Sequence, residues 1–369
     1  MHKLFEDSTI NGMNLPNRFV RSATWEGMAT DHGAVTPQLI DTMTALAAGG
    51  VGLIITGHAY VRPEGKASPW QLGIYKDELV PGLREMTTAV HACGGRIIAQ
   101  LAHAGCFTSA QLTGQPPLAV SDFNGLPTES PREEITDRNI GEIVSSFADA
   151  AQRAKSAGFD GVQIHSAHGY LLNQFLSPAY NKRRDDYGGS IHNRARIHLE
   201  LYHAIRKVVG SSYPILIKMN CRDFVENGLE LEESLRVARL LADAGLDAIE
   251  LSGGTFKSGK LSPSRSKINS QDREAYFREE AIAFKKETSI PLILVGGIRS
   301  IEVAEQLVEN TVADYISLSR PLIREPGLIN RWKTGDHRKA ECKSDNLCFK
   351  PGREGTGIYC VVKENKKAS

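Results

Sequence analysis

The sequence predicts a (β/α)8 barrel, an α/β fold in which eight parallel strands alternate with helices. Short apolar runs recur along the 369 residues, most of them bounded by Gly or Pro, and longer amphipathic stretches of helical period separate them. The eight runs cover residues 18–23, 51–56, 96–101, 162–165, 214–219, 248–251, 291–295 and 313–319. Eight such units over about 300 residues match the size of this barrel.

The connections between the runs support the same fold. Ala-Gly pairs that begin at Ala48, Ala157 and Ala244 are typical of helix C-caps that lead into a strand. A doubly wound sheet is the competing architecture, but no glycine-rich GxGxxG turn follows an early run. The pattern therefore favours the barrel.

Two inserts and a tail extend this repeat. The inserts, residues 102–137 after the third run and 252–272 after the sixth, exceed the usual loop length, and we expect both to cap the catalytic face. We predict a barrel domain over residues 1–335. Residues 336–369 form a short cysteine-bearing C-terminal tail.

Composition excludes several classes of function. Hydrophobic residues make up 41% of the chain and charged residues 24%, as in an ordinary globular protein. The 44 Lys and Arg residues nearly balance 43 Asp and Glu, which argues against a nucleic-acid partner. No apolar run approaches the roughly 18 residues of a membrane span, and the N-terminus lacks a signal-peptide core, so we expect no membrane association and a cytoplasmic protein. The six cysteines are then more typical of thiols or metal ligands than of disulfides.

Residues 161–187 carry the clearest catalytic signal. His165 ends the fourth apolar run, and His168 and Tyr170 follow it within five residues. Ligands of parallel α/β sheets and barrels gather at the carboxyl ends of the strands, so these side chains are expected at the active site. The imidazoles could bind a carbonyl oxygen or an anion, and the phenol could protonate a carbanion. A metal site is the weaker alternative, because HxxH lacks a nearby carboxylate or third His. Structural histidines and a packed tyrosine are the other alternative.

Two polar residues interrupt other apolar runs. Lys218 lies in the fifth run, where an unpaired ammonium would be costly, so it should face an anionic or electron-rich group. A structural pair with a carboxylate inside the barrel is the alternative. Gln100 in the third run offers an amide that could bind a cofactor edge or be a satisfied core group.

A phosphate site is one interpretation of the last two strands. Gly296 and Gly297 follow the seventh run, and Ser319 and Arg320 close the eighth. In barrels these loops commonly bind phosphate through backbone N–H groups, with an arginine as a charged donor. A tight turn and a surface arginine would explain the same residues.

Longer motifs resemble the old yellow enzyme family of FMN-dependent NAD(P)H oxidoreductases. The segment HSAHGYLLNQFLSPAYNKRRDDYGGSIHNRARI at residues 165–197 is similar to the hallmark of that family. Supporting similarities are NRFVRSATWEG at 17–27, AQLAHAG at 99–105, VGGI at 295–298 and SLSRPLIREP at 317–326. The resemblance covers about residues 1 to 335 and implies a (β/α)8 barrel with FMN at its C-terminal mouth.

The resemblance also implies roles for individual residues. It implies three groups of cofactor contacts: Ala23, Thr24 and Trp25 along the flavin near N5; Gln100 at the pyrimidine edge and Lys218 at N1 and O2; and Gly297, Ser319 and Arg320 at the ribityl phosphate. His165 and His168 would bind a substrate carbonyl oxygen. Tyr170 would protonate Cα while the flavin delivers hydride to Cβ. NADH or NADPH would reduce the flavin.

The tail resembles the start of the iron–sulfur segment of larger relatives, which include the dienoyl-CoA reductases. Those proteins place four cysteines there, whereas here Cys342, Cys348 and Cys360 fit three of the positions and Asp345 takes the second. A carboxylate can replace a thiolate, but four-iron clusters are ordinarily held by four cysteines. The favoured interpretation is a lost or labile cluster, and three free thiols are the alternative.

The resulting hypothesis is an ene reductase that acts on small α,β-unsaturated carbonyl compounds such as enones or enals. The alternatives are a flavin-linked electron-transfer subunit, a member of the NADH oxidase or demethylase type, and a barrel aldolase or lyase that uses Lys218 as a Schiff base. Assembly into a homo-oligomer is left open.

Overall fold

The computed structural model describes residues 3–121 and 131–368. Within these residues, eight parallel strands close into a barrel, as predicted. In chain order the barrel strands are β1 (Phe19–Arg21), β2 (Leu53–Tyr60), β3 (Ile97–Ala102), β4 (Val162–Ser166), β5 (Ile215–Asn220), β6 (Ala248–Ser252), β7 (Leu292–Val295) and β8 (Tyr315–Leu318). Strand β8 pairs with β1 through Ile316 and Phe19, which closes the ring.

Helices cover the outside of the barrel. The main helices that follow the barrel strands in turn are α1 (Pro37–Ala48), α2 (Val80–Ala92), α3 (Asp137–Ser156), α4 (Arg196–Val209), α5 (Leu231–Ala244), α6 (Arg278–Glu287), α7 (Ile301–Glu309) and α8 (Leu328–Lys333). Because helices cover its outer face, each strand is buried on both sides, and this accounts for the near-continuous apolar runs. All six residues of β5, for example, are buried.

Local sequence sets the ends of these helices. Helix α3 begins after Thr136, whose hydroxyl accepts from the N–H of Asn139 while the Asn139 side chain bonds back to the Thr136 N–H. Helix α5 ends at Ala244 and is capped by Gly245, whose φ of +98° lies in the left-handed region that favours glycine. The predicted helix ends at Ala48, Ala157 and Ala244 are confirmed to within a residue.

The two ends of the barrel are closed differently. An N-terminal hairpin of Ser8–Ile10 and Met13–Leu15 packs its apolar side chains against inward-facing strand residues such as Leu53 and Leu216, and so fills one end. The other end, at the carboxyl ends of the strands, stays open as a pocket.

The insert after β3 contains a short helix, Ala110–Thr113, and a two-stranded sheet of Leu118–Ala119 and Glu133–Glu134. Part of the predicted first cap, residues 122–130, lies outside the described residues. The insert after β6 forms short turns of 3-10 helix at Gly259–Leu261 and Gln271–Arg273.

The C-terminal tail packs on the mouth of the barrel. It contains the short helices Phe349–Arg353 and Val361–Ala368. The N–H of Ile358 bonds to the carbonyl of Glu26 at 2.8 Å, and the N–H of Ala340 bonds to Arg299 at the same distance. The domain division at residue 335 stays a prediction, but the tail is an integral part of the barrel surface. None of the helices described in the structure is long and apolar enough to cross a membrane.

Candidate active site

A cavity of about 910 Å³ lies at the carboxyl ends of the barrel strands. All predicted catalytic and flavin-contacting residues line it: Ala23, Thr24, Trp25, Gln100, His165, His168, Tyr170, Lys218, Gly297, Ser319 and Arg320. Its volume is typical of pockets for small molecules and cofactors. The structure therefore brings these residues together, while their individual roles stay predictions.

Strand β4 and the turn after it position the proton-handling side chains. The ring centroid of His165 lies 5.3 Å from that of His168 and 5.0 Å from that of Tyr170. His168 adopts a φ of +64°, and its backbone N–H bonds to the side-chain oxygen of Asn220 at 3.1 Å. Its Nε2 lies 2.7 Å from the hydroxyl of Ser252. The strained turn thus aims both imidazoles into one pocket.

Burial sets the protonation of this cluster. Desolvation, followed by the charges of neighbouring groups such as Lys218, lowers the pKa of His165 and His168 well below the usual value, so both imidazoles are neutral at physiological pH. Burial raises the pKa of Tyr170, so the phenol keeps its proton. The pocket therefore presents neutral imidazoles and a protonated phenol.

A buried polar network supports the floor of the pocket. The Lys218 ammonium bonds to Ser22 at 2.7 Å and to the Glu250 carboxylate at 3.2 Å. Burial by itself would raise the pKa of Glu250, but Lys218 and hydrogen bonds from Ser22, Gln163 and Ser317 outweigh it and lower that pKa. The predicted alternative of a carboxylate partner for Lys218 is thus present, and Lys218 faces the pocket as well.

The same network orients Gln100. The side-chain nitrogen of Gln163 donates to Glu250 at 2.9 Å, so the Gln163 nitrogen faces the carboxylate. The Gln163 oxygen then accepts from the side-chain nitrogen of Gln100 at 2.7 Å. Gln100 therefore uses its nitrogen inside the barrel. Its oxygen is left as an acceptor for a ligand N–H in the pocket.

The residues predicted to bind phosphate lie just after the carboxyl ends of β7 and β8. Gly297 has a φ of +73°, and a Cβ there would lie 2.7 Å from the ring of Tyr276, so glycine is required. The hydroxyl of Ser319 lies 2.8 Å from that of Thr24. Arg320 donates to the side-chain oxygen of Asn346 at 2.7 Å, which holds the guanidinium at the pocket wall.

The tail also forms part of the pocket. Ser344, Asn346, Phe349 and Arg353 line it. The indole ring of Trp25 packs against the backbone of Gly352, where a Cβ would lie 3.0 Å from the ring. The indole nitrogen is buried without a partner in the described chain, as is Nδ1 of His165.

Sequence reasoning missed several members of this site: His58, Glu250, Ser252 and Asn346. A signal existed for Glu250, which is a charge inside an apolar run, as Lys218 is. Another existed for Ser252 and His58, which lie one and two residues beyond predicted strand ends. No local signal marked Asn346, because its contacts are to residues far away in the chain.

The predicted cluster ligands share a second, smaller cavity beside Arg324: Cys342, Asp345, Cys348 and Cys360. Arg324 donates to the Cys360 sulfur at 3.4 Å, whereas the exposed Asp345 carboxylate accepts from the N–H of Leu347 at 3.1 Å. In the part of the chain that the structure describes, no group of three or more His, Cys, Asp or Glu side chains could hold a metal ion. The four residues thus lie around one cavity without assembling a metal site in this conformation.

A closed parallel barrel with a polar pocket at the carboxyl ends of its strands is the architecture of an α/β-barrel enzyme. The model of the NADH:flavin oxidoreductase / NADH oxidase family matches residues 3–339. The chain belongs to this family, so its cofactor is FMN, with NADH or NADPH as reductant. The predicted family is confirmed.

Similar proteins agree with this assignment. An NADH oxidase of Thermoanaerobacter brockii is 38% identical over 97% of this chain and 55% of its own length. A 2-naphthoyl-CoA reductase structure superposes with a TM-score of 0.90 at 27% identity, covering 98% of this chain and 56% of that one. The old yellow enzyme homologue of Zymomonas mobilis has a TM-score of 0.78 at 25% identity, covering 98% of both chains. The chain thus spans about half the length of the first two proteins and nearly all of the third.

The residues of the pocket fit FMN. A buried cation at Lys218, an amide oxygen at Gln100 and an arginine at Arg320 lie in one cavity. Lys218 would suit the electron-rich edge of the isoalloxazine ring, and the oxygen of Gln100 would suit its N–H edge. Arg320 would suit the phosphate. The indole nitrogen of Trp25 adds a buried donor that none of the residues described in the structure satisfies.

Proposed function

We propose that the chain is an ene reductase that reduces the activated C=C bond of α,β-unsaturated carbonyl compounds. The observation that supports this most directly is the convergence of His165, His168 and Tyr170 in the pocket that also contains Lys218. Pure electron transfer would need no proton donor, whereas reduction of an alkene needs one proton at Cα for each hydride at Cβ.

In this proposal the two histidines bind the substrate carbonyl oxygen. Neutral imidazoles donate N–H groups without placing a full charge in the pocket. As negative charge grows on the oxygen during reduction, these hydrogen bonds strengthen, so they favour the transition state over bound substrate. FMN, when bound, would supply the hydride chemistry.

Tyr170 completes the reduction as the proton donor. Its O–H bond breaks as the Cα–H bond forms, and water entering the pocket later returns a proton to the phenolate. The raised pKa of Tyr170 keeps the phenol protonated until a strongly basic carbon forms beside it. Phe256, which is 60% exposed, packs edge-on against the Tyr170 ring with centroids 5.4 Å apart and would form the apolar side of the substrate entrance.

Separate half-reactions test the proposal. Tyr170→Phe should slow reoxidation of the reduced holoenzyme by cyclohexenone by about 10²–10⁴-fold, because general acid catalysis contributes that much. Anaerobic reduction by NADH or NADPH should be unchanged. Tyr359→Phe, at an exposed position outside the pocket, is the matched control. Equal slowing of both half-reactions would remove Tyr170 from this role, and rapid oxygen consumption without enone turnover would favour an oxidase.

A further inference from the structure

His58 is a titratable pocket residue that the proposed mechanism leaves without a task. It lies near the end of β2, directly opposite Gln100 in the pairing of β2 with β3. The register of this pair shifts between Ile55 and His58. Irregularities of this kind re-aim side chains at barrel rims, and His58 indeed lines the pocket.

Gln71 fixes the tautomer of His58. The side-chain oxygen of Gln71 accepts backbone N–H groups of Ala67 at 2.7 Å and Ser68 at 3.3 Å, so this end of the amide must be the oxygen. The amide nitrogen then donates to the His58 carbonyl at 2.9 Å and lies 2.6 Å from Nδ1 of the ring. Nδ1 is therefore an acceptor, and the ring proton is on Nε2.

The environment keeps this imidazole neutral. Desolvation by burial lowers the pKa of His58 to about 4. With Nδ1 occupied by the Gln71 amide, the ring can neither hold a second proton readily nor pass one from nitrogen to nitrogen. His58 is thus built as a hydrogen-bond donor and not as a proton shuttle.

The neighbours of His58 point to the acceptor. Its ring centroid lies 5.4 Å from that of Tyr170, with the planes inclined by 58°, and 6.2 Å from that of His165. Across residues 3–121 and 131–368, neither Nε2 of His58 nor the Tyr170 hydroxyl has a hydrogen-bond partner in the protein. The ring that holds this fixed donor therefore packs against the ring of Tyr170, and in the described structure no hydrogen bond joins Nε2 to the phenol hydroxyl.

We infer that His58 is a positioning residue for Tyr170, whose phenol oxygen receives a hydrogen bond from Nε2–H of His58 as Tyr170 gives up its proton. This inference rests on the proposed function. Burial destabilises the phenolate that forms when the O–H bond breaks, and a neutral N–H donor offsets part of that cost. His58 keeps its own proton throughout, and water restores the proton of Tyr170.

A double-mutant cycle in the FMN-loaded enzyme tests the inference. His58→Leu should slow reoxidation by cyclohexenone about 10–100-fold more than it slows reduction by NADPH, as expected for a hydrogen bond to a charge that develops only in the first of these half-reactions. His58→Gln, which retains an N–H donor, should recover part of the rate. In a Tyr170→Phe background, His58→Leu should have no further effect.

Additive losses in the cycle would overturn the inference, because His58 would then act on substrate or on the fold and not through Tyr170. Histidine-labelled ¹⁵N NMR of the holoenzyme gives a readout independent of turnover: the Nε2–H resonance of His58 should shift in Tyr170→Phe and stay in place in the exposed control His203→Asn. An unshifted resonance would contradict the inference. If the resonance shifts while Tyr170→Phe reoxidises at the normal rate, the contact exists and the proposed function fails instead.

Discussion

The ammonium nitrogen of Lys218 lies 3.2 Å from a carboxylate oxygen of Glu250, and both side chains are buried at the floor of the pocket. The two residues are directly opposite each other on β5 and β6. Removing one partner of such a pair leaves an uncompensated buried charge, which is costlier than removing both.

Glu250→Gln should therefore lower the free energy of unfolding by about 3–5 kcal/mol, because the Lys218 charge loses its partner. The double variant Lys218→Met/Glu250→Gln should recover a large part of that loss. Urea unfolding of the FMN-loaded proteins measures both. Equal losses in the single and double variants would show that Glu250 acts through its hydrogen bonds and not through its charge.

The proposed carbonyl site predicts the effect of histidine substitutions on ligand binding. Phenolates carry an oxyanion that would occupy the position of the substrate carbonyl oxygen. Replacing both His165 and His168 by Leu, which has no N–H donor, should weaken phenolate binding by about 10-fold or more for each lost hydrogen bond to the charged oxygen. Titration of flavin absorbance changes with a para-substituted phenol measures the affinity. His203→Leu is the exposed control, and unchanged affinity in the double variant would exclude the assignment.

The tail should contribute to FMN affinity through Asn346. Its side-chain oxygen accepts from Arg320 at 2.7 Å, and its nitrogen donates to the Ser264 carbonyl at 2.8 Å. Asn346→Leu should release the guanidinium and raise the FMN dissociation constant by about 5–10-fold, the value of a hydrogen bond near 1 kcal/mol. Recovery of flavin fluorescence on dilution measures it. Lys350→Ala, exposed on the same tail, should leave it unchanged.

Buried histidines predict acid sensitivity. Desolvation by burial is the main cause that lowers the pKa of His198 to about 3 and that of His103 to about 4, whereas the unfolded value is about 6.5. Below pH of about 6.5 the unfolded chain binds protons that the folded chain does not. Stability should consequently fall as pH falls, by up to about 1.4 kcal/mol per pH unit for each such histidine, until the folded pKa is reached.

His198→Asn isolates one of these contributions. The measurement compares unfolding free energies at about pH 6.5 and pH 5. This pH window lies above the range in which carboxylates with depressed pKa values change the stability. The slope should become shallower in His198→Asn and stay unchanged in His203→Asn, which replaces an exposed histidine. An unaltered slope in His198→Asn would mean that other groups control the acid response.

The sequence by itself determined the barrel. Apolar runs buried on both faces, spaced by amphipathic helices and ended by Gly, leave few alternatives, because each element is set by neighbours within a few residues. It also determined that His165, His168, Tyr170 and Lys218 meet, because parallel strands of a barrel present their carboxyl ends on one face.

Only the tertiary structure decided which polar groups pair. Glu250 meets Lys218 through the register of two strands, and Asn346 reaches Arg320 and Ser264, the latter 82 residues away. The orientation of Gln100 follows from a chain of hydrogen bonds through Gln163 to Glu250. Local patterns could not give these contacts, since hydrogen bonds and ion pairs depend on distances of a few ångströms between segments that only the closed barrel brings together.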